Sequence, residues 1–143
     1  LGVDYGEQRT GVAISDESRQ IAFPRETLHC PRVEQAAAAV ARLAEVEQVL
    51  EIVVGYPLNM NGTLGARTAR TDEFLAELAK RTAIPLKKWD ERLSTKIAEA
   101  VLIEAGTSRG KRRGVVDKLA AQVILQGYLD ATGGGPVGEG DEP

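Results

Sequence analysis

The sequence predicts an α/β fold in which a mixed five-stranded sheet, three antiparallel strands and then parallel strands, is flanked by helices. Three observations favour this class. The chain opens with two short β-prone segments around a polar turn. Later apolar runs of strand length are continuous, as in strands that are covered on both faces. Segments with helical spacing of apolar residues separate those runs.

The first three strands are expected to form an antiparallel unit. Residues 1–6 and 9–15 have the pattern of a β-hairpin, with glycines at the positions where a tight connection needs them. A short third strand is expected at 20–23, with Pro24 either ending it or marking a sheet edge. Residues 29–32 are expected to form a loop.

The remaining elements follow from periodicity and from helix caps. In chain order they are a helix at 33–50, a strand at 51–55, a helix at 65–81 capped by Thr63, a strand at 84–91, a helix that Ser94 or Thr95 caps and Gly106 ends, a flexible basic loop at 107–114 and a helix from 115 to about 130. The predicted domain is therefore 1–130, followed by a disordered, acidic Gly/Pro tail at 131–143.

Composition excludes several kinds of site. Cys30 is the single cysteine and His29 the single histidine, so an intramolecular disulfide and a cysteine metal cage are excluded and a histidine-based site is disfavoured. The tail holds three of the 21 acids and no base, which leaves the domain with as many acids as its 18 bases. The apolar runs are too short to span a bilayer, and we expect a cytoplasmic protein without a membrane partner.

Carboxylates at unusual positions are the candidate catalytic groups. Asp4 lies within the first strand, Asp90 and Glu91 end the last strand, and Asp117 lies on the inner face of the final helix. Two of them have an ordinary alternative role. Asp4 can cap the turn by accepting bonds from nearby amides, and the charge of Asp117 can interact favourably with the N-terminus of the predicted helix. If the acids converge, only cations can keep them all ionised, and oxygen ligands select Mg²⁺ or Mn²⁺. Strand alternation alone leaves open which of Asp90 and Glu91 faces the site.

Four blocks of the sequence carry a resemblance to a known family. VDYGEQRTGVAISD, IVVGYPLNMNGT, WDERLST and VVDKLAAQVILQGYL, in this order and spacing, resemble the YqgF family, also called RuvX, of RNase H-like nucleases. The resemblance implies an RNase H-like fold and a metal-dependent nuclease that matures the 5′ end of pre-16S rRNA. It also implies Asp4, Glu91 and Asp117 as catalytic acids and metal ligands, with Asp90 as a less favoured ligand. Family members often carry aspartate where this chain has Asn61, which argues against an essential ligand there.

A nuclease needs basic and polar groups that bind the nucleic-acid backbone. The candidates are Arg9, Asn59, Arg92, Ser94, Thr95, Arg109, Lys111, Arg112 and Arg113. The expected partner is structured RNA or branched or single-stranded DNA, bound by a monomer or a homodimer.

Other functions remain open from the sequence. Likeness to Holliday junction resolvases implies a DNA nuclease of recombination and repair as one alternative. A non-catalytic assembly factor that binds nucleic acid is an alternative of another class. An actin-like kinase is disfavoured, because such enzymes need two domains and a second phosphate loop.

Overall fold

A computed structural model describes residues 1–58, 61–90 and 109–133, with the backbone alone for 109–116. Its elements are β1 (Gly2–Asp4), β2 (Arg9–Ser15), β3 (Ala22–His29), α1 (Val33–Val46), β4 (Ile52–Tyr56), α2 (Ala66–Ala79), β5 (Leu86–Asp90) and α3 (Arg109–Thr132). The strands form one sheet in the order β3-β2-β1-β4-β5. β2 is antiparallel to both β1 and β3, whereas β4 is parallel to both β1 and β5. The predicted mixed five-stranded sheet is confirmed.

The sheet separates two apolar cores. On one face, α1 and α2 pack over alternate strand residues, among them Val3 and Val54. On the other face, α3 packs over the intervening residues, such as Val53. Because alternate side chains of a strand point to opposite faces, the continuous apolar run of β4 serves both cores. The chain is thus a three-layer α/β/α structure.

The third strand is longer than predicted. It runs from Ala22 through Pro24 to His29, so the expectation of a strand at 20–23 and a loop at 29 is wrong. β3 is an edge strand, and Pro24 faces a register shift between Val12 and Ala13 of β2. A proline lacks the donor that a central strand needs, but an edge strand with a bulge tolerates it. Pro24 therefore marks an edge, which was one of its two predicted roles.

The helix boundaries also differ from the prediction. α3 begins at Arg109, so the basic residues of the predicted loop at 107–114 lie largely within the helix. The high helix propensity of arginine and lysine favours a helix here, although Gly110 and Gly114 oppose it. In α2 the cap is Gly65, whose amide donates to the Thr68 hydroxyl, and Thr63 instead bonds to Asn61.

Two further predictions fall partly or wholly outside the described residues. The helix predicted after Ser94 lies in the gap between 90 and 109, and of the predicted tail only residues 131–133 are described, with α3 continuing to Thr132. In the described ranges, no helix is long and apolar enough to cross a membrane.

Candidate active site

Polar side chains collect where the parallel strands end. Asp4 is the last residue of β1, Tyr56 of β4 and Asp90 of β5. These three ends form one edge of the sheet, which we call the carboxyl edge. β1 is the middle strand, so Asp4 lies at the centre of this edge. Sheets of this kind bind their ligands at the carboxyl ends of parallel strands.

Gly11 brings Asp4 and Asp117 to the same face of the sheet. Asp4 is the partner of Gly11 in the antiparallel β1–β2 ladder, where opposing residues point to one face with Cα atoms about 4.5 to 5.5 Å apart. The backbone of α3 rests on Gly11, because a Cβ there would overlap the carbonyl oxygen of Asp117. Only glycine permits so close an approach. Asp4 and Asp117 are therefore neighbours on the face that α3 covers.

Arg9 binds the carboxylate of Asp117. Its Nε atom donates to Oδ2 at 2.6 Å, and the side chains are 33% and 17% exposed. A charge-assisted bond of this kind fixes the orientation of the carboxylate. Arg9 had been predicted from the sequence as a contact to nucleic acid. The structure places it beside a predicted catalytic acid, at the start of β2.

The two faces of β5 separate the acid Asp90 from Asp4. Trp89 lies on the α3 face, where its indole packs against Gly127 and, edge to face, against Tyr128. Leu86 belongs to the opposite core, and Lys88 contacts Tyr56 and Asp72 of the α2 side. Alternation then puts Asp90 on the face of Leu86 and Lys88. Asp90 therefore points away from the face that carries Asp4 and Asp117.

Several predicted site residues lie outside the described residues. These are Asn59, Glu91, Arg92, Ser94 and Thr95. The backbone of α3 includes Arg109, Lys111, Arg112 and Arg113 in its first turns, and their side chains are not described. Among the described side chains, no group of three carboxylate, histidine or cysteine residues is arranged to hold a metal ion.

At the carboxyl edge, the face of the sheet that α2 covers carries a polar cluster that was not predicted from the sequence. The Tyr56 hydroxyl donates to Asp72, at 2.9 Å from each carboxylate oxygen. The Lys88 ammonium lies 3.8 Å from Asp72 and 4.5 Å from the centre of the Tyr56 ring. Burial and the bond to Asp72 raise the pKa of Tyr56 above its ordinary value. No signal in the sequence joins Asp72 to Tyr56, because they come from different elements.

A second group missed by the sequence lies near the start of α2. Arg67 and Arg70 face the turn after β1, and Arg70 pairs with Glu7 at 2.9 Å. Their three-residue spacing at the start of a predicted helix was a usable signal, since residues three apart share a helix face.

Comparison with known proteins extends these observations. The family model described as "RuvX: Holliday junction resolvase" matches residues 1–131. A protein of Halothermothrix orenii named "Putative pre-16S rRNA nuclease" is 48% identical over 130 residues, which are 91% of this chain and 93% of that protein. Relatives with the same name in Symbiobacterium thermophilum and Geobacillus kaustophilus are 48% and 46% identical, over 94% and 92% of this chain and 94% and 96% of their own lengths.

A solved structure supports the fold independently. It is described as "T. thermophilus RuvC in complex with Holliday junction substrate", and it superposes with a TM-score of 0.58 at 16% identity, over 94% of this chain and 95% of RuvC. The RNase H-like architecture implied by the four sequence blocks is confirmed by this similarity. Since the family model spans nearly the whole described chain and the relatives are well above 40% identical, this chain belongs to the RuvX family.

Proposed function

We propose that this protein is a metal-dependent nuclease that hydrolyses phosphodiester bonds in the 5′-end processing of pre-16S rRNA. The observation that carries the proposal is the placement of Asp4 and Asp117 on one face of the carboxyl edge, with Gly11 between them. Relatives that are nearly half identical over most of the chain are named for this substrate, which supports the choice of RNA.

The donor atoms at this site fit Mg²⁺ or Mn²⁺. Asp4 and Asp117 offer carboxylate oxygens alone, the ligands that hard divalent cations prefer. We propose Glu91 as the third ligand, because alternation along β5 turns Asp90 to the other face. When bound, a pair of such ions supplies positive charge to the attacking and leaving oxygens of a phosphodiester displacement. The carboxylates would bind these ions as ligands and fix their positions.

Arg9 has two roles in this proposal. Its bond to Asp117 keeps the carboxylate oriented on the face of the sheet that also carries Asp4. A guanidinium has five N–H donors in a fixed plane, so one bond to a carboxylate leaves donors for a phosphate oxygen. Arg9 is thus suited to link Asp117 of α3 to the substrate backbone.

A Holliday junction resolvase is the second candidate function. The family description names this activity, and the fold resembles that of RuvC, whose structure contains a junction. A resolvase cuts two strands symmetrically, so this function requires a two-fold symmetric dimer on the junction. The two functions share the same acids and differ in the substrate that is cleaved.

The test is the cleavage of matched substrates by the wild-type protein and by Asp4→Asn. Precursor 16S rRNA, single-stranded DNA and a four-way junction are incubated in Mg²⁺ and in Mn²⁺, and the product ends are mapped. Loss of groups that merely support a metal ligand costs about 10- to 100-fold, so loss of a ligand should cost at least about 100-fold. Preference for the precursor RNA supports rRNA processing, and symmetric cuts in the junction support the resolvase.

Glu17→Gln is the matched control for this test. Glu17 is an exposed carboxylate in the β2–β3 connection, at the end of β2 that lies away from the carboxyl edge. Its removal changes the net charge as Asp4→Asn does, and it should leave the rate unchanged. An unaltered rate in Asp4→Asn would remove the nuclease assignment. Binding without cleavage by the wild type, in both metals, would instead favour an assembly factor.

A further inference from the structure

A small basic cavity opens beside the carboxyl edge, on the face that α2 covers. It has a volume of about 250 Å³ and is lined by Tyr5, Gly6, Glu7, Arg67, Arg70 and Thr71. Tyr5 and Gly6 directly follow Asp4, and the two arginines lie in the first turns of α2. An extended chain advances about 3.3 Å per residue, so Gly6 lies about 7 Å along the chain from Asp4.

The walls of this cavity are held by well-defined contacts. The Tyr5 ring stacks on Phe74, with ring centroids 4.5 Å apart and an interplanar angle of 14°. Phe74 is fully buried in the core, so Tyr5 is anchored to the body of the domain. Thr71, also buried, closes the side of the cavity formed by α2. The cavity is therefore formed by the folded core and the turn after β1.

Arg70 already holds an anionic group in this cavity. Its Nε atom lies 2.9 Å from a carboxylate oxygen of Glu7, and these side chains are 45% and 61% exposed. An ion pair between exposed groups is weak and is readily exchanged for another anion. A phosphate carries the same kind of oxygen acceptors, and a planar guanidinium can donate two parallel bonds to it. Glu7 thus occupies the position that a phosphate can take.

We propose that this cavity is a phosphate subsite, in which Arg67 and Arg70 bind a backbone phosphate of the substrate strand close to the scissile one. The inference rests on the proposed nuclease function and assigns two binding residues on the face opposite Asp117. The strand then crosses the carboxyl edge from the α3 face to the α2 face. Because backbone phosphates carry no sequence information, the subsite positions RNA and DNA alike.

The test is the salt dependence of binding, measured without cleavage. A fluorescent RNA hairpin is titrated in EDTA at several salt concentrations with wild type, Arg67→Gln and Arg70→Gln, and anisotropy is recorded. Each phosphate contact that is lost reduces the slope of log K against log salt by about 0.9 for a duplex. We expect this reduction in both variants, with weaker binding at low salt. Arg70→Lys should keep the slope but bind more weakly than wild type, because an ammonium lacks the planar fork.

Two variants make the result specific to the cavity. Glu7→Gln removes the competing carboxylate and should strengthen binding, which is the opposite sign from the arginine variants. Arg42→Gln removes an exposed cation from α1 and should leave the slope unchanged. Thermal melting of every variant checks that the fold is retained.

Failure of this inference is separable from failure of the nuclease assignment. Unchanged slopes in Arg67→Gln and Arg70→Gln, or a slope lost equally in Arg42→Gln, overturn the subsite whatever Asp4→Asn does. Reduced slopes with no cleavage by wild type in any metal keep the subsite and overturn the nuclease.

Discussion

The ion pair between Arg9 and Asp117 joins a proposed phosphate contact to a proposed catalytic acid. Arg9 lies at the start of β2, and Asp117 reaches it because α3 rests on Gly11. Without the guanidinium, the carboxylate of Asp117 loses this hydrogen bond and its cationic partner. In the proposed nuclease, Arg9 is therefore expected to contribute to activity through Asp117.

Arg9→Gln tests this role by kinetics. We expect kcat/KM to fall about 10- to 100-fold, as for residues that orient a metal ligand, with changes in both kcat and KM. Arg9→Lys keeps the charge without the planar fork and should recover part of the KM change and little of kcat. Wild-type kinetics in Arg9→Gln would show that the contact with Asp117 has no part in catalysis.

At the scale of elements, the site depends on how closely α3 lies on the sheet. Gly2 and Gly11 are both positions where an added Cβ would meet the backbone or a side chain of α3. At Gly2 the Cβ would lie 2.7 Å from Leu125 Cβ and 2.9 Å from the carbonyl oxygen of Ala121. The two glycines contact different parts of the helix, since Leu125 is about 12 Å along it from Asp117. Substitutions at these two positions therefore allow an effect on helix packing to be distinguished from an effect on catalysis.

Gly11→Ala should lower both stability and activity. The added methyl must push α3 away from β2, and overpacking of this kind costs about 1 to 3 kcal/mol of unfolding free energy. It also moves Asp117 from Asp4, so the activity of the folded protein should fall by more than the folded fraction does. Gly2→Ala is the control, with a similar loss in urea denaturation and a smaller loss of specific activity. Equal specific activities in the two variants would contradict this account.

One carboxylate accepts several of the hydrogen bonds in the β2–β3 connection. The oxygens of Asp16 accept bonds from the Ser18 hydroxyl and from the amides of Gln20 and Ile21, at 2.7, 2.9 and 3.1 Å. The bond from Ser18, followed by those from the two amides, lowers the pKa of Asp16. A lowered pKa in the folded state contributes stability above the unfolded value of about 3.9, and this contribution is lost as the pH falls through the folded value.

Amide hydrogen exchange measures this effect. Below about pH 4, after correction for the intrinsic exchange rate, the amides of Gln20 and Ile21 should lose protection relative to pH 6. In Asp16→Asn the protection should be lower at pH 6 and should change less with pH. Protection that is constant from pH 6 to pH 3 in the wild type would show that the charged form of Asp16 does not hold the turn.

For the whole molecule, the sequence predicted the secondary structure better than it predicted the contacts between side chains. Alternation and apolar runs predicted the five strands and placed Asp90 at a strand end, because these signals are local. Asp4 was expected within the first strand, whereas the structure makes it the last residue of β1. The ion pair of Arg9 with Asp117 joins residues 108 positions apart, and no pattern in the sequence links them.

Contacts far from the site were equally hidden from the sequence. Buried Glu51, immediately before β4, accepts bonds from Arg19 at 2.8 Å and Tyr128 at 3.1 Å. The sequence shows an acid before an apolar strand and nothing of its partners, since burial of a charge is decided by elements distant in the chain. The length of β3 was missed because pairing with β2, rather than local propensity, sets where an edge strand ends.

The distribution of charge over the chain leads to a last prediction. The formal charge is −3, and the three acids of the tail account for all of it. Deletion of residues 134–143 therefore yields a neutral protein with the same basic groups at the carboxyl edge. We expect the unfolding free energy to change by less than about 0.5 kcal/mol, as for surface changes away from a packed core. Nucleic-acid binding should strengthen at low salt, because tail carboxylates no longer repel the phosphates.

The salt dependence of binding distinguishes electrostatic repulsion by the tail from a structural role of the tail. Screening at 0.1 M salt acts beyond about 10 Å, so the gain in affinity on deletion should shrink between 0.05 M and 0.3 M if the tail acts by charge alone. A full-length variant with Glu139, Asp141 and Glu142 changed to the amides is the matched control and should bind as the deletion does. If the deletion destabilises the domain while the amide variant does not, the tail packs against the fold, and the division into a domain and a disordered tail is wrong.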